Sequence, residues 1–290
     1  KARVLQASGQ SRDAEQALRD ALKLLPGYHP ARKELIELLM ESGRWAEAES
    51  WLNELPKGTT SEANLDDTLT RVRIAAGLKK FKEADQLLDA LTPEERNTGR
   101  ARLLVAHIAL AQGKLPEGLE AISGLAEQPE ASAPLLATYG DLLLASGWMG
   151  RASAAYRGAL GKQADLPEAL LGQAEVELRA SRASIALGLL EQAQTALQVQ
   201  LRPAAMVAKL WLLKGRAYLM QVPPKRDDAI SAFRKATDMS DAVPEGYFWL
   251  GEALSAQSVA DAGVAYRRYL ELDPKGSYAE RATAALGNAP

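Results

Sequence analysis

Thirty-four residues separate Ala14 from Ala48, Gly113 from Gly147, Gly118 from Ala152 and Ile122 from Tyr156. A fixed spacing near this value, with small and bulky apolar residues recurring in one order, marks a helical-hairpin repeat. Each repeat has too little apolar surface to fold alone and must stack on its neighbours. The expected product is an all-α solenoid of antiparallel helix hairpins, which presents surface instead of enclosing a reaction pocket.

Composition supports the class. Ala and Leu dominate the 47% of hydrophobic residues, while aromatics reach only 6%. Those two are the strongest helix formers, and the β-branched and aromatic strand formers are scarce. The 35 basic and 37 acidic residues leave a formal charge of −2, so no broad basic field is available to hold a phosphate backbone. Nucleic acid is therefore not an expected partner. Cys is absent, which removes disulfides, thiolate metal sites and cysteine nucleophiles. It leaves the compartment open between cytoplasm and periplasm.

No apolar run approaches the roughly 20 residues that span a bilayer, so this segment is not expected to insert in a membrane. Lys1 to Ser8 reads as helix, not as a signal peptide, and the chain reads as starting partway through a repeat.

The clearest repeat, 133–163, sets Leu136, Tyr139, Gly140 and Leu143 on one helix, turns at Gly147, and sets Ala152, Tyr156 and Ala159 on the next. Gly140 and Ala152 are small where two helices approach, and Leu136 and Tyr156 are large where they interlock. The order returns at Trp211, Gly215, Tyr218, Ala229, Phe233 and Ala236. It returns again at Tyr247, Leu250, Gly251, Leu254, Ala262, Tyr266 and Pro274.

This arrangement resembles the tetratricopeptide repeat family, whose hairpins carry a bulky residue, Leu-Gly and Tyr on the first helix. Ala, Phe, Ala and a closing Pro follow on the second. The resemblance extends over essentially the whole chain and implies a right-handed superhelical array with a C-terminal capping helix. Its repeats fall at 1–26, 29–56, 61–92, 97–129, 133–163, 166–201, 204–240 and 244–274, with the cap at 277–287. The repeat at 166–201 is the poorest fit.

The punctuation agrees with these boundaries. Thr92-Pro93-Glu94-Glu95 joins an N-cap, a first-turn Pro and a capping-box Glu, and Ser277-Tyr278-Ala279-Glu280 reads as a second capping box. Pro56-Lys57-Gly58-Thr59 breaks the chain between repeats, and Val222-Pro223-Pro224-Lys225 lengthens a turn.

Candidates for chemistry are few. His29 lies in a connector, where it reads as a solvated turn residue. His107 follows Ala106 and reads as a partner contact more readily than as a catalyst, and with no Cys or second His nearby it forms no metal site. The pairs Asp66-Asp67, Glu94-Glu95 and Asp227-Asp228 are helix neighbours about 100° apart, which cannot face each other as acid and base. No phosphate loop, nucleophile elbow or zinc helix is present. Neither an enzyme nor a cofactor site is expected.

In the family resembled, the first helix of each repeat lines the inner surface. Its inward positions lie six and three residues before the small residue, and one after it. On that analogy the partner-binding residues are Lys33, Glu37, Arg71, Arg100, His107, Asp141, Lys209, Arg216, Glu245, Phe248 and Glu252, with Asn64, Asp67 and Gln173 on the same face. Phe248 has two readings, an inward anchor for a peptide or packing for the terminal helix. Trp45, Trp51 and Trp249 read as core, whereas Trp148-Met149 in a turn reads as a second contact patch. Relatives that grip acidic chaperone tails use a Lys-Asn clamp. Here Glu37 stands where the Asn would follow Lys33, which argues against that ligand.

The function expected is a non-catalytic scaffold or adaptor that binds a protein or peptide in its concave groove, as part of a bacterial assembly, motility or polarity machine. The alternative is a self-associating structural component of a cell-envelope or secretion complex. The array is expected to be a monomer or weak oligomer.

Overall fold

Five helix-to-helix turns share one backbone device. Gly43, Lys79, Gly113, Gly147 and Ser181 all have positive φ, between 59° and 82°. The residue after each donates its N–H to the carbonyl five positions back, as in Arg44 to Leu39, Lys80 to Ala75, Lys114 to Ala109, Trp148 to Leu143 and Arg182 to Glu177, each at 2.8 Å. This is the left-handed helix stop, in which a reversed residue satisfies the orphan carbonyls of the last turn. The device recurs at a spacing of 34 residues, or 36 between Gly43 and Lys79.

A computed structural model describes residues 11–54, 61–240 and 243–287. The expected helix at Lys1–Ser8 and the break at Pro56–Thr59 lie outside the described residues, as does the side chain of Asn64. Among the described residues the chain is all-α, with seventeen helices and no strand. They are α1 (Ser11–Leu24), α2 (His29–Glu41), α3 (Trp45–Asn53), α4 (Ser61–Gly77), α5 (Phe81–Asp89), α6 (Pro93–Arg96), α7 (Gly99–Gln112), α8 (Leu115–Ala126) and α9 (Ala133–Ala145). There follow α10 (Met149–Lys162), α11 (Pro167–Arg179), α12 (Ala183–Val199), α13 (Ala204–Leu219), α14 (Arg226–Met239), α15 (Glu245–Leu254), α16 (Val259–Leu272) and α17 (Ala279–Gly287).

The chain divides into two compact bodies, the first comprising 1–169 with 198–203, the second 170–197 with 204–290. In the first, α1 packs against α2, and α2–α3, α4–α5, α7–α8 and α9–α10 are complete hairpins. The short α6 is an addition. Thr92 caps it through the expected box, its hydroxyl accepting from the Glu95 N–H at 3.2 Å while the Glu95 carboxylate accepts from the Thr92 N–H at 3.0 Å. In the second body, α13–α14 and α15–α16 are hairpins and α17 covers the last of them. That helix opens at Ala279, two residues after the expected Ser277 cap, and the Tyr278 N–H donates to the Tyr269 hydroxyl at 3.0 Å.

Stacking follows from the small-and-large alternation. Ala14 on α1, and Ala48, Ala84, Ala152, Ala186 and Ala229 on second helices, are fully buried. Within three hairpins the first-helix glycine lies under an aromatic ring of the second helix. A Cβ on Gly140 would sit 2.6 Å from Tyr156, one on Gly215 2.4 Å from Phe233, and one on Gly251 2.7 Å from Tyr266. No other residue lets the two backbones come so close.

Candidate partner-binding face

Charge on the first helices is organised one repeat at a time. In the first body, Lys33 on α2 reaches Asp67 on α4 at 3.3 Å, and Glu37 on α2 holds Arg73 on α4 at 2.9 Å. Asp66 on α4 in turn pairs with Arg100 on α7. These pairs tie residues 34 or 36 apart, so the sequence period reappears as a ladder of ion pairs across consecutive first helices. Their members are half-buried or exposed, and each pair on its own is worth about 0–1 kcal/mol. Their value is registration. Arg71 departs from the face, since its guanidinium donates to the Asn53 side chain on α3 at 3.0 Å.

His107 extends the ladder to α9, its Nε2 lying 2.8 Å from the Thr138 hydroxyl oxygen. The single hydroxyl proton of Thr138 goes to the Pro134 carbonyl at 2.9 Å, which makes His107 the donor through Nε2–H. Protein crowding around the ring, followed by the Arg73 guanidinium, lowers its pKa to about 4. The residue nevertheless stays exposed. A ring with atoms on most sides and solvent above it accounts for both, and the open edge tempers the desolvation penalty. The consequence is a neutral, fixed imidazole at pH 7, a hydrogen-bonding group without the charge a general acid would need.

In the second body, Lys209 on α13 pairs with Glu175 on α11 at 3.3 Å, again 34 residues apart, and Arg179 pairs with the same carboxylate at 2.8 Å. Burial pushes the Glu175 carboxyl up, but Lys209, Arg179 and Arg216 together outweigh it and hold the group below the usual carboxylate range. Arg216 lies 5.4 Å above the Trp249 ring, a cation–π contact.

Two predicted residues act as internal acceptors. Asp141 accepts from the Tyr156 hydroxyl at 2.7 Å, and Glu252 from the Tyr266 hydroxyl at 2.8 Å and from Arg281 at 2.7 Å. Each follows the interlocking glycine of its hairpin. Glu245 lies half-buried in the first turn of α15.

Phe248 requires a correction. It is 0% exposed and stacks on Tyr278 at 4.3 Å, with Tyr266 and Tyr269 both at 5.8 Å and the Arg281 guanidinium 4.9 Å from its ring. The terminal helix and its approach cover the position that would face a partner, so Phe248 is core. Gln173 is likewise buried, donating to Glu177 at 2.7 Å. The counting rule missed Asp66, Arg73 and Glu175. Their signal was available as opposite charges 34 to 36 residues apart. Trp148 remains 49% exposed in its turn beside Met149, with Arg151 5.0 Å from its ring.

Family models described as tetratricopeptide repeat match residues 5–71 and 225–277. The chain carries tetratricopeptide repeats. Its fold is similar to that of a chain in the APC/C hetero-tetramer Cut9-Hcn1, with a TM-score of 0.76 at 16% identity over 100% of this chain. That match covers 54% of the other chain, so this tetratricopeptide repeat protein spans about half its length. A monomeric IFIT1 mutant with m7Gppp-AAAA matches at TM-score 0.64 and 14% identity, over 98% of this chain and 70% of that one. A tetratricopeptide repeat protein from Parabacteroides merdae ATCC 43184 matches at 0.56 and 16%, over 88% and 96%. At these identities the likeness is one of fold. No curated protein sequence matches the chain. No helix among the described residues is long and apolar enough to cross a membrane.

Proposed function

We propose that this tetratricopeptide repeat protein is a non-catalytic scaffold that holds a protein partner against a face built from its first helices. The observation that carries the reading is the ladder of ion pairs repeating at one period, Lys33 to Asp67, Asp66 to Arg100 and Lys209 to Glu175. Such a face offers both signs in a fixed order, which selects a partner by its own charge pattern and penalises wrong registers. A polyanion fits it poorly, because the cations it would need already face carboxylates one repeat away. This favours protein over nucleic acid, even with a fold neighbour recorded with a capped oligonucleotide. The setting we favour is a bacterial assembly, motility or polarity machine.

The test is capture from the source lysate with the parent chain, a Lys33→Ala/Arg100→Ala variant and a Lys209→Ala/Arg216→Ala variant. A partner retained by the parent and lost from either variant supports the reading and says which body it uses. Retention by both variants together refutes the first-helix face. The competing reading, a self-associating envelope component, predicts a mass that rises with concentration in light scattering and no captured partner.

A further inference from the structure

One turn in the second body is longer than stacking requires. The α11–α12 hairpin turns through 180–182 and α9–α10 through 146–148, but α13–α14 takes 220–225. The added chain is Met220-Gln221-Val222-Pro223-Pro224-Lys225. It leaves Val222 97% exposed and Met220 37% exposed, beside Ile185 on the preceding repeat at 54%. A turn that served connection alone would be polar, because an exposed apolar tip gains nothing from solvent.

The insertion forms one wall of an open cleft of about 460 Å³. The opposite wall is the α11–α12 turn with the start of α12, Ser181 to Ile185. Apolar surface comes from Ala183, Ile185, Met220, Val222 and the two prolines, and the only ionisable side chains lining the cleft are Arg182 and Lys225. Arg182 is 52% exposed and uses its Nε on the buried Glu177. Lys225 makes no ion pair among the described residues. The first turn of α12 holds no acid. Asp227 accepts from Gln257 of the following repeat at 3.1 Å, which places it on the other side of its hairpin from the cleft.

We propose that this cleft docks a short acidic segment of a partner protein. One apolar side chain of that segment seats against Ile185, Met220 and Val222 while its carboxylates face Arg182 and Lys225. The charge of the lining decides the occupant. Lys225 makes no ion pair among the described residues, Arg182 keeps the guanidinium nitrogens it does not spend on Glu177, and no carboxylate lines the cleft, so it favours a carboxylate-bearing peptide over a basic one. The site lies at hairpin turns and stands apart from the first-helix face, so either reading holds or fails alone.

The probe is a fluorescein-labelled peptide of alternating Glu and Leu, titrated with the full chain at low ionic strength and followed by anisotropy. Two counterparts carry Lys for Glu or Ser for Leu. The expected result is saturable binding of the Glu-Leu peptide, at least tenfold weaker binding of both counterparts, and about tenfold loss in a Val222→Asp/Lys225→Glu variant. Both substituted side chains are exposed and Lys225 is without an ion pair, so the fold is retained, as circular dichroism checks. Lys225→Glu alone gives the same direction with less disturbance. Lys209→Ala/Arg216→Ala leaves the affinity unchanged. Equal binding of the Lys counterpart, unchanged affinity in Val222→Asp/Lys225→Glu, or loss in Lys209→Ala/Arg216→Ala overturns the proposal. So does a concentration-dependent mass abolished by Val222→Asp/Lys225→Glu with no peptide bound, which makes a second copy the occupant.

Discussion

Replacing Gly215 with alanine tests the interlock that closes the α13–α14 hairpin. The new Cβ would lie 2.4, 2.6 and 2.7 Å from three atoms of the Phe233 ring, where carbon atoms normally rest about 3.5–4.0 Å apart. Phe233 is 0% exposed, so the ring has nowhere to swing and the two helices must separate. Overpacking of this kind costs about 1–3 kcal/mol. Against it stands the gain of about 1 kcal/mol from exchanging glycine for alanine in a helix. Gly188, exposed on α12, isolates the second quantity, because a Cβ there meets nothing within 4 Å. Gly188→Ala is therefore expected to raise the urea midpoint and Gly215→Ala to lower it. The difference between the two is about 1–3 kcal/mol, all of it overpacking. Urea unfolding followed by far-ultraviolet circular dichroism reads both. Adding Phe233→Leu to Gly215→Ala should recover part of the loss as a coupling of about 1 kcal/mol, since the residues touch. If Gly215→Ala stabilises as Gly188→Ala does, or the double variant is simply additive, close approach is not why glycine stands there.

Three further outcomes are expected. His107, its pKa lowered from 6.5 towards about 4, is expected to show ring chemical shifts that titrate below the range of a free imidazole. Its folded value lies below its unfolded one, so its contribution is complete above the unfolded pKa and is lost as pH falls from about 6.5 towards 4. A ring titrating near 6.5 in the folded chain would refute this. Ser181→Gly relieves a non-glycine residue at φ 59° and is expected to stabilise by about 1 kcal/mol, read as a higher thermal midpoint. Phe248→Ala removes the ring stacked on Tyr278 and is expected to cost about 3–5 kcal/mol and release α17, seen as lost amide protection there.

Much of the fold was legible because its causes are local. A glycine opposite a ring, an alanine at each second-helix crossing and the Thr92 box are all written in a few adjacent residues. The face was less legible, because which residue points outward depends on register. In the degenerate repeat the count pointed to Gln173. The exposed cation of Arg179 instead shares its stripe with Glu175, four residues before it and seven after Glu168. Phe248 escaped for a different reason. Its position carries Asp67 in an internal repeat, but in the last hairpin the terminal helix folds over it, and no count within one repeat sees that cover.

The acids of α4 look both ways, Asp67 back to Lys33 and Asp66 forward to Arg100. Remove that one hairpin and Lys33, Arg100 and Glu37 all lose the partners that register them. The charges thus act as an address for each repeat. An array of nominally interchangeable modules carries its own serial order, and a deletion or exchange of a hairpin is disfavoured even where every apolar contact would re-form.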